Sequence, residues 1–262
     1  MSGYDLDVGT NWDSDLELAL DLANFADSLS LPRFGALDLQ VETKPDLTPV
    51  SEADRAVEAM VRDRLAKDRP GDAIVGEEFG ITGSGDRRWI IDPIDGTKSY
   101  VRGIPAWALL LALEVDGEIV VGVASAPALE RRWWASAAGG SFANGKEIKV
   151  SQVDDLKDAH LSMVNVRDWA AIGREKQALE LERRVWRPVG LGDFWGHTLV
   201  AQGTLDVMIE PELSYWDIAA LRPIVEQAGG RCTDLAGNPA TGPGGAITTN
   251  GLLHDIVLEV LN

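Results

Sequence analysis

Apolar positions along the chain follow two rhythms. Between residues 14 and 30, Leu16, Leu20 and Ala23 recur at the spacing of an amphipathic helix. Ser51 reads as the N-cap of a second helix, with Ala53, Val57, Met60, Val61 and Leu65 on one face. Between them, "VETKPDLTPV" reads as an extended segment running into a loop. The apolar runs then become short and strand-like. "AIVGEEF" and "RRWIIDPID" predict strands separated by a glycine-rich loop over residues 80–86. "WALLLALEVDGEIVVGVASAP" predicts a hairpin around Asp116-Gly117, and "WWASAAGGSFANGKEIKV" turns at Asn144-Gly145, because Asx-Gly pairs accept the backbone of a tight hairpin turn. Residues 1–150 thus predict two helices against a mostly antiparallel sheet.

From about Ser151 strands and helices alternate: "AHLSMVNV", a helix over 174–184, "VWRPVG", a helix over 194–202, "LDVMIEP" and a helix over 216–228. A last strand, "GAITTN", leads into the terminal helix "LLHDIVLEVL". The predicted class is α/β, with an α+β half over residues 1–150 packed against an α/β half over 151–262.

Composition narrows the function classes. The 262 residues are 45% hydrophobic and 25% charged, as in an ordinary soluble protein, and the formal charge is −18. That charge repels nucleic acid and anionic membrane surfaces, and no Lys/Arg cluster offsets it. A lone cysteine, Cys232, excludes an intramolecular disulfide and suits a reducing compartment. The start, "MSGYDLDVGTNWDSD", lacks the apolar core of a signal peptide, and "IPAWALLLALEV" is too short to span a bilayer. The expectation is a cytoplasmic protein.

Candidate chemistry centres on "WIIDPIDGTKSY", where Asp92 and Asp95 close an apolar run. Asp-Pro and Asp-Gly also make ordinary turns. Other acids stand at comparable places: Glu77 and Glu78 at the end of "AIVGEEF", Asp217 behind Trp216 at a helix start, and Asp54 in the first turn after Ser51. Each alone fits a solvated face or a helix cap worth ~1 kcal/mol or less. Together they predict a convergent oxygen-ligand site that needs cations, and the lack of a His or Cys cluster favours Mg²⁺ over Zn²⁺. Gly96-Thr97 predicts an anion cradle beside it. Carboxylates that hold metal next to an anion cradle point to a phosphate ester, which two cations roughly 4 Å apart can bridge.

"GEE", "WIIDPIDGT" and "WDIAA", in this order and spacing, resemble the inositol monophosphatase family of Mg²⁺-dependent, lithium-sensitive phosphatases. The likeness runs from the N-terminal helices to "EQAGG". It implies a layered αβαβα sandwich of the inositol monophosphatase and fructose-1,6-bisphosphatase type, commonly a homodimer. It further implies that Glu77, Asp92 and the Ile94 carbonyl hold a first metal, that Asp92, Asp95 and Asp217 hold a second, and that Glu77 shares a weaker third. Mn²⁺ is a possible substitute for Mg²⁺. Thr97, oriented by Asp54, and Glu77 would position and deprotonate the attacking water. Asp95 and the amides of Gly96 and Thr97 would take the phosphate, and Lys44 matches a basic position near the site, the alternative being an exposed loop lysine.

The family hydrolyses inositol phosphates, fructose 1,6-bisphosphate, adenosine 3′,5′-bisphosphate and histidinol phosphate, and the bisphosphates would need a basic cluster that does not show. "VGLGDFWGHTLVAQG" carries Asp193, Phe194, Trp195 and His197 where inositol-type members have small neutral residues. Glu210 matches a position that contacts the non-phosphate part of the substrate. Acids and an aromatic suit the ammonium and imidazole of histidinol phosphate, and "VETKPDLTPVSEADRAVE" and "RRWWAS" are similar to the histidinol-phosphatase branch. The alternatives are that Asp193 caps a helix, that Trp195 is core and that His197 is structural. Trp133-Trp134 is expected to pack the sheet or a dimer interface. Inositol 1-phosphate is the competing ester, and a transcription-associated interaction protein is the non-enzyme reading.

Overall fold

A computed structural model describes residues 12–262, so the reading of the first eleven positions lies outside the described residues. Helices α1 (Asp13–Ser30) and α2 (Glu52–Asp68) lie on one face of an eight-stranded sheet, with the hairpin β1 (Val41–Thr43) and β2 (Pro49–Ser51) between them in sequence. The sheet comprises β3 (Ala73–Gly76), β4 (Gly80–Thr82), β5 (Arg87–Asp95), β6 (Ala108–Val115), β7 (Glu118–Ala126), β8 (Arg131–Ser136), β9 (Gly140–Ala143) and β10 (Lys146–Glu147). Its order is β10-β9-β8-β7-β6-β5-β3-β4, antiparallel at every neighbour except β3 with β5. One turn of helix, α3 (Thr97–Tyr100), follows β5.

The second sheet has five strands, β11 (His160–Met163), β12 (Arg187–Val189), β13 (Val207–Leu213), β14 (Arg231–Asp234) and β15 (Gly244–Thr249), ordered β12-β11-β13-β15-β14. Its helices are α4 (Val166–Ala171), α5 (Glu175–Arg184), α6 (Asp193–Ala201), α7 (Tyr215–Ala219), α8 (Leu221–Gln227) and α9 (His254–Leu261).

Side-chain alternation sorts these elements into five layers. Trp89, Ile91, Leu111 and Val121 pack under Leu22, Ala26, Val57 and Val61 of the outer helices. Ile90, Leu110, Ala112 and Trp133, on the opposite face, meet Phe194, Ile218, Ile224 and Val225 of α6, α7 and α8. Beyond them Leu161, Ile209 and Ile247 of the second sheet face Trp169, Leu181 and Val257 of α4, α5 and α9. The sequence is therefore helix, sheet, helix, sheet, helix, as the resemblance implies. The C-terminal helices run five to ten residues, too short to persist alone, so this packing holds them. Gly122 of β7 allows the closest approach: a Cβ there would lie 2.3 Å from the Ala220 carbonyl oxygen. That contact seats the junction of α7 and α8 on the first sheet.

Several elements differ in detail from the sequence pattern. The wholly buried stripe of α1 is Ala19, Leu22, Ala23 and Ala26, while Leu16 and Leu20 pack at its rim, because alanines let the helix approach the sheet. Met60 is likewise half-buried. The loop over 80–86 contains the edge strand β4. The strand in "AHLSMVNV" stops at Met163, since Asn165 caps α4 by accepting the Arg167 N–H at 3.2 Å. The helix over 216–228 divides into α7 and α8 because Pro223 has no N–H for the Ala219 carbonyl. Strand β14 carries too short an apolar pattern to stand out. Among the described residues no helix is long and apolar enough to cross a membrane.

Candidate active site

Strict alternation would send Asp92 and Asp95 to opposite faces of β5, since they are an odd number of residues apart. The register prevents this. Asp92 pairs with Leu110 and Asp95 with Ala108, so β5 carries one extra residue and bulges at Pro93-Ile94. Both carboxylates then reach one cluster, joined by Asp217 from the first turn of α7. Ligand oxygens of the three lie within 4.8 Å of one another. Asp217 is held by a capping box in which its Oδ2 accepts the Ser214 N–H at 2.7 Å. Ile94 donates its N–H to Asp92 Oδ1 at 3.0 Å, and Phe194 donates its N–H to Asp95 Oδ2 at 2.7 Å. The end of β5 is thereby tied to the start of α6.

Burial, then the Glu77 and Asp95 charges, raises the Asp92 pKa well above the ordinary carboxylate value. Asp95 is raised by burial and then by Asp193 and Asp217. Burial brings Asp217 to about 7, with Glu77, Glu210 and Asp193 adding to the rise. Three such carboxylates cannot all ionise cheaply without a cation. An all-oxygen, anionic donor set fits a hard divalent cation.

The repulsion has a measurable consequence. These folded-state pKa values exceed the unfolded carboxylate value near 4, so protonation favours the folded state. Stability present at low pH is lost as pH rises through the folded values. Bound cation takes the place of the proton, so the Tm gap between cation-loaded and chelated protein is expected to widen from pH 4 to about 7. Calorimetry in chelator and in excess Mg²⁺ across that range checks it; a constant gap would show that these acids do not repel.

Glu77 stands at the edge of the trio. Its N–H donates to the Ile91 carbonyl at 3.2 Å, and its Oε1 accepts from Lys44 Nζ at 2.7 Å. Lys44 also donates to Glu78 Oε1 at 2.6 Å, so it is no exposed loop lysine. Burial pulls the Lys44 pKa down, but Glu77 and Glu78 carry it above the ordinary value. Burial raises Glu78 to about 7 despite Lys44. Beneath this turn lies Glu58, which the sequence reading missed. Wholly buried, it accepts the N–H groups of Glu78 at 2.7 Å and Phe79 at 3.1 Å and pairs with Arg62 at 2.7 Å. The available signal was Asp54 and Glu58, four apart on the apolar face of α2.

Asp54 is also wholly buried. Its Oδ2 accepts the Ser51 N–H at 2.8 Å, closing a capping box, and its Oδ1 lies 3.2 Å from Thr97 Oγ1. Burial raises its pKa. The Thr97 hydroxyl is also 2.9 Å from the Ile94 carbonyl, so its one proton is shared between two acceptors. Gly96 has φ +80, and a Cβ there would lie 2.8 Å from the Ala106 carbonyl oxygen, so only glycine fits this turn.

On the C-terminal side Asp193 opens α6 with φ +55, and Gly192, not Asp193, occupies the cap position. Asp193 is solvent-reached, yet partial loss of hydration and then the adjacent Glu210 raise its pKa to about 6. Glu210, 5% exposed on β13, accepts the Asp193 N–H on Oε1 at 3.3 Å. Its Oε2 lies 2.9 Å from Nε2 of buried His197. Trp195 packs against the central core, which favours the core alternative for it. Trp133 and Trp134 meet Phe194 and Phe142 at ring separations of 5.9 Å and pack the first sheet.

Residues 12–261 match the model described as the inositol monophosphatase family. The chain is 52% identical over 254 residues to a histidinol-phosphatase of Mycobacterium tuberculosis, covering 95% of this chain and 98% of that one. It is 51% identical over 257 residues to a histidinol-phosphatase of Streptomyces coelicolor, covering 95% and 97% of the two chains. The solved Thermotoga maritima IMPase superposes with a TM-score of 0.86 at 35% identity, covering 95% of this chain and 97% of that one.

Proposed function

The chain belongs to the inositol monophosphatase family of metal-dependent phosphatases, and from that premise we propose that it hydrolyses histidinol phosphate to histidinol and phosphate with Mg²⁺ as cofactor. The observation that carries the substrate is the acidic pair Asp193 and Glu210, close enough to the Asp95 and Asp217 carboxylates to raise their pKa values. An ester with a cationic alcohol portion would be drawn to that pair while its phosphate sits at the metal site. The two histidinol-phosphatase relatives, each about half identical to the chain, support the same substrate.

In this reading Asp92, Asp95 and Asp217, together with Glu77 and the Ile94 carbonyl, would hold Mg²⁺, for which Mn²⁺ would substitute. Two or three cations, when bound, would supply Lewis acidity toward the phosphate and toward the attacking water. The Thr97 hydroxyl, held by Asp54, orients that water, and Glu77 accepts its proton. Asp95 and the amides of Gly96 and Thr97 orient the phosphate, and Lys44 steadies Glu77. Water attacks phosphorus as the P–O ester bond breaks; the leaving oxygen takes a proton from solvent water, and Glu77 returns to solvent the one it accepted. A homodimer, lithium sensitivity and a cytoplasmic location belong to the same proposal and rest on the family resemblance.

Phosphate release with Mg²⁺ tests it on histidinol phosphate, inositol 1-phosphate, fructose 1,6-bisphosphate and p-nitrophenyl phosphate. The expected kcat/KM for histidinol phosphate exceeds the others by about ten-fold or more, the value of one charge-assisted contact. A preference for inositol 1-phosphate would replace the substrate, and no turnover of any ester would return the interaction-protein reading.

A further inference from the structure

We propose that His197 is the positioning residue that fixes the Glu210 carboxylate for the cationic end of the substrate, through a buried chain from Glu210 by way of His197 to Thr248. The inference rests on the reading of Glu210 as a substrate contact. Both ring nitrogens of His197 are engaged: Nε2 lies 2.9 Å from Glu210 Oε2, and Nδ1 lies 2.8 Å from Thr248 Oγ1. His197 is 1% exposed and Thr248 is wholly buried. A carboxylate only accepts, so Nε2 carries the proton. In the neutral ring Nδ1 is then an acceptor, and the Thr248 hydroxyl donates to it. That hydroxyl can alternatively donate to Cys232 Sγ at 3.4 Å, the weaker of its two acceptors. Burial pushes the Cys232 thiol pKa up to about 12, and a protonated thiol accepts weakly. The chain therefore selects one tautomer and one ring orientation.

The carboxylate is bracketed by one helix. Asp193 and His197 are four residues apart on α6, one turn; the Asp193 N–H donates to Oε1 while His197 holds Oε2. A free glutamate would have to be ordered when substrate binds, at a cost in affinity; this one is ordered beforehand. The same turn carries the Phe194 N–H that holds Asp95. The cation contact and the metal cluster are thus set at a fixed separation by α6.

Steady-state kinetics on Mg²⁺-loaded protein, with histidinol phosphate and p-nitrophenyl phosphate, test the role in His197→Phe, His197→Gln, Thr248→Val and Glu210→Gln. His197→Phe removes the donor while keeping a flat ring. It is expected to raise KM for histidinol phosphate about ten-fold, with its kcat and the neutral ester changed by less than about two-fold. His197→Gln, whose amide can donate to Oε2, should recover most of that loss. Should His197→Phe not fold, Thr248→Val carries the test, because it frees the ring while leaving Nε2 in place; a smaller but equally selective rise in KM is expected. Equal changes on both esters, or no change in KM, would overturn the positioning role and leave His197 as packing. Glu210→Gln separates the two levels. If it impairs histidinol phosphate selectively while His197→Phe does not, only the positioning role fails. If it impairs neither ester, or both alike, the substrate contact itself fails and the positioning role falls with it.

Discussion

Asp95→Asn and Asp217→Asn are each expected to lower kcat by roughly 10²-fold or more, with substrate KM changing far less, as when a charge that counts mainly in the transition state is disturbed. Both swaps keep the side-chain shape and remove one negative charge from a trio whose oxygens lie within 4.8 Å. The Mg²⁺ concentration for half-maximal rate should rise in both. Excess chelator should abolish turnover of the native protein and Mg²⁺ should restore it. The fold should survive, because lowering like-charge repulsion among buried acids favours the metal-free state. An asparagine amide at position 95 can still offer an oxygen to the Phe194 N–H that Asp95 accepts at 2.7 Å. Position 217 keeps an oxygen for the Ser214 N–H in the same way. Metal titrations of kcat beside melting curves check both points. Near-normal kcat in both variants at saturating Mg²⁺ would reduce these aspartates to turn and cap residues.

What the sequence made legible depends on where each signal resides. The Ser51 cap, the Asp116-Gly117 and Asn144-Gly145 turns and the apolar run into Asp92 are local chemistry, and the structure has each in place. Asp92, Asp95 and Asp217 could be named as a group because strand ends and helix starts are unusual places for several acids together, and because their motifs resemble a known family. The means of their convergence was not legible. It lies in the register of β5 against β6, where an extra residue turns an odd spacing to one side, and register is a property of the pair. Burial of Asp54 and Glu58 was hidden for a similar reason. An acid on the apolar face of a helix reads as an interruption until the groups it serves are known: Thr97 for one, and the amides of Glu78 and Phe79 for the other. Short elements such as β4 and β14 are held by their neighbours and carry little pattern of their own.

Neutralising the acids on the C-terminal side is expected to injure one substrate and spare another. Asp193→Asn and Glu210→Gln should each reduce kcat/KM for histidinol phosphate by roughly ten- to a hundred-fold, the equivalent of losing ~1.5–3 kcal/mol from a charge-assisted hydrogen bond. On p-nitrophenyl phosphate, which has no cation, the loss should be far smaller, since Asp92, Asp95, Asp217 and the Gly96-Thr97 turn are unchanged. The two variants should differ in pH response. Burial and Glu210 push the Asp193 pKa up to about 6, so native affinity for the cationic ester should weaken as pH falls and the carboxylate is neutralised. Asp193→Asn should lose that inflection, and Glu210→Gln should retain it but move it to lower pH, since the Glu210 charge helps raise Asp193. Stability distinguishes them as well. Asp193 is solvent-reached and Gly192 holds the helix cap, so its variant should melt close to the native temperature. Glu210→Gln should melt lower, since it weakens a buried contact with His197. Kinetics on the two esters from pH 5 to 8, with a melting curve for each variant, separate these outcomes. Equal losses on both esters in both variants would remove the acidic pair from substrate recognition and favour a neutral polyol phosphate.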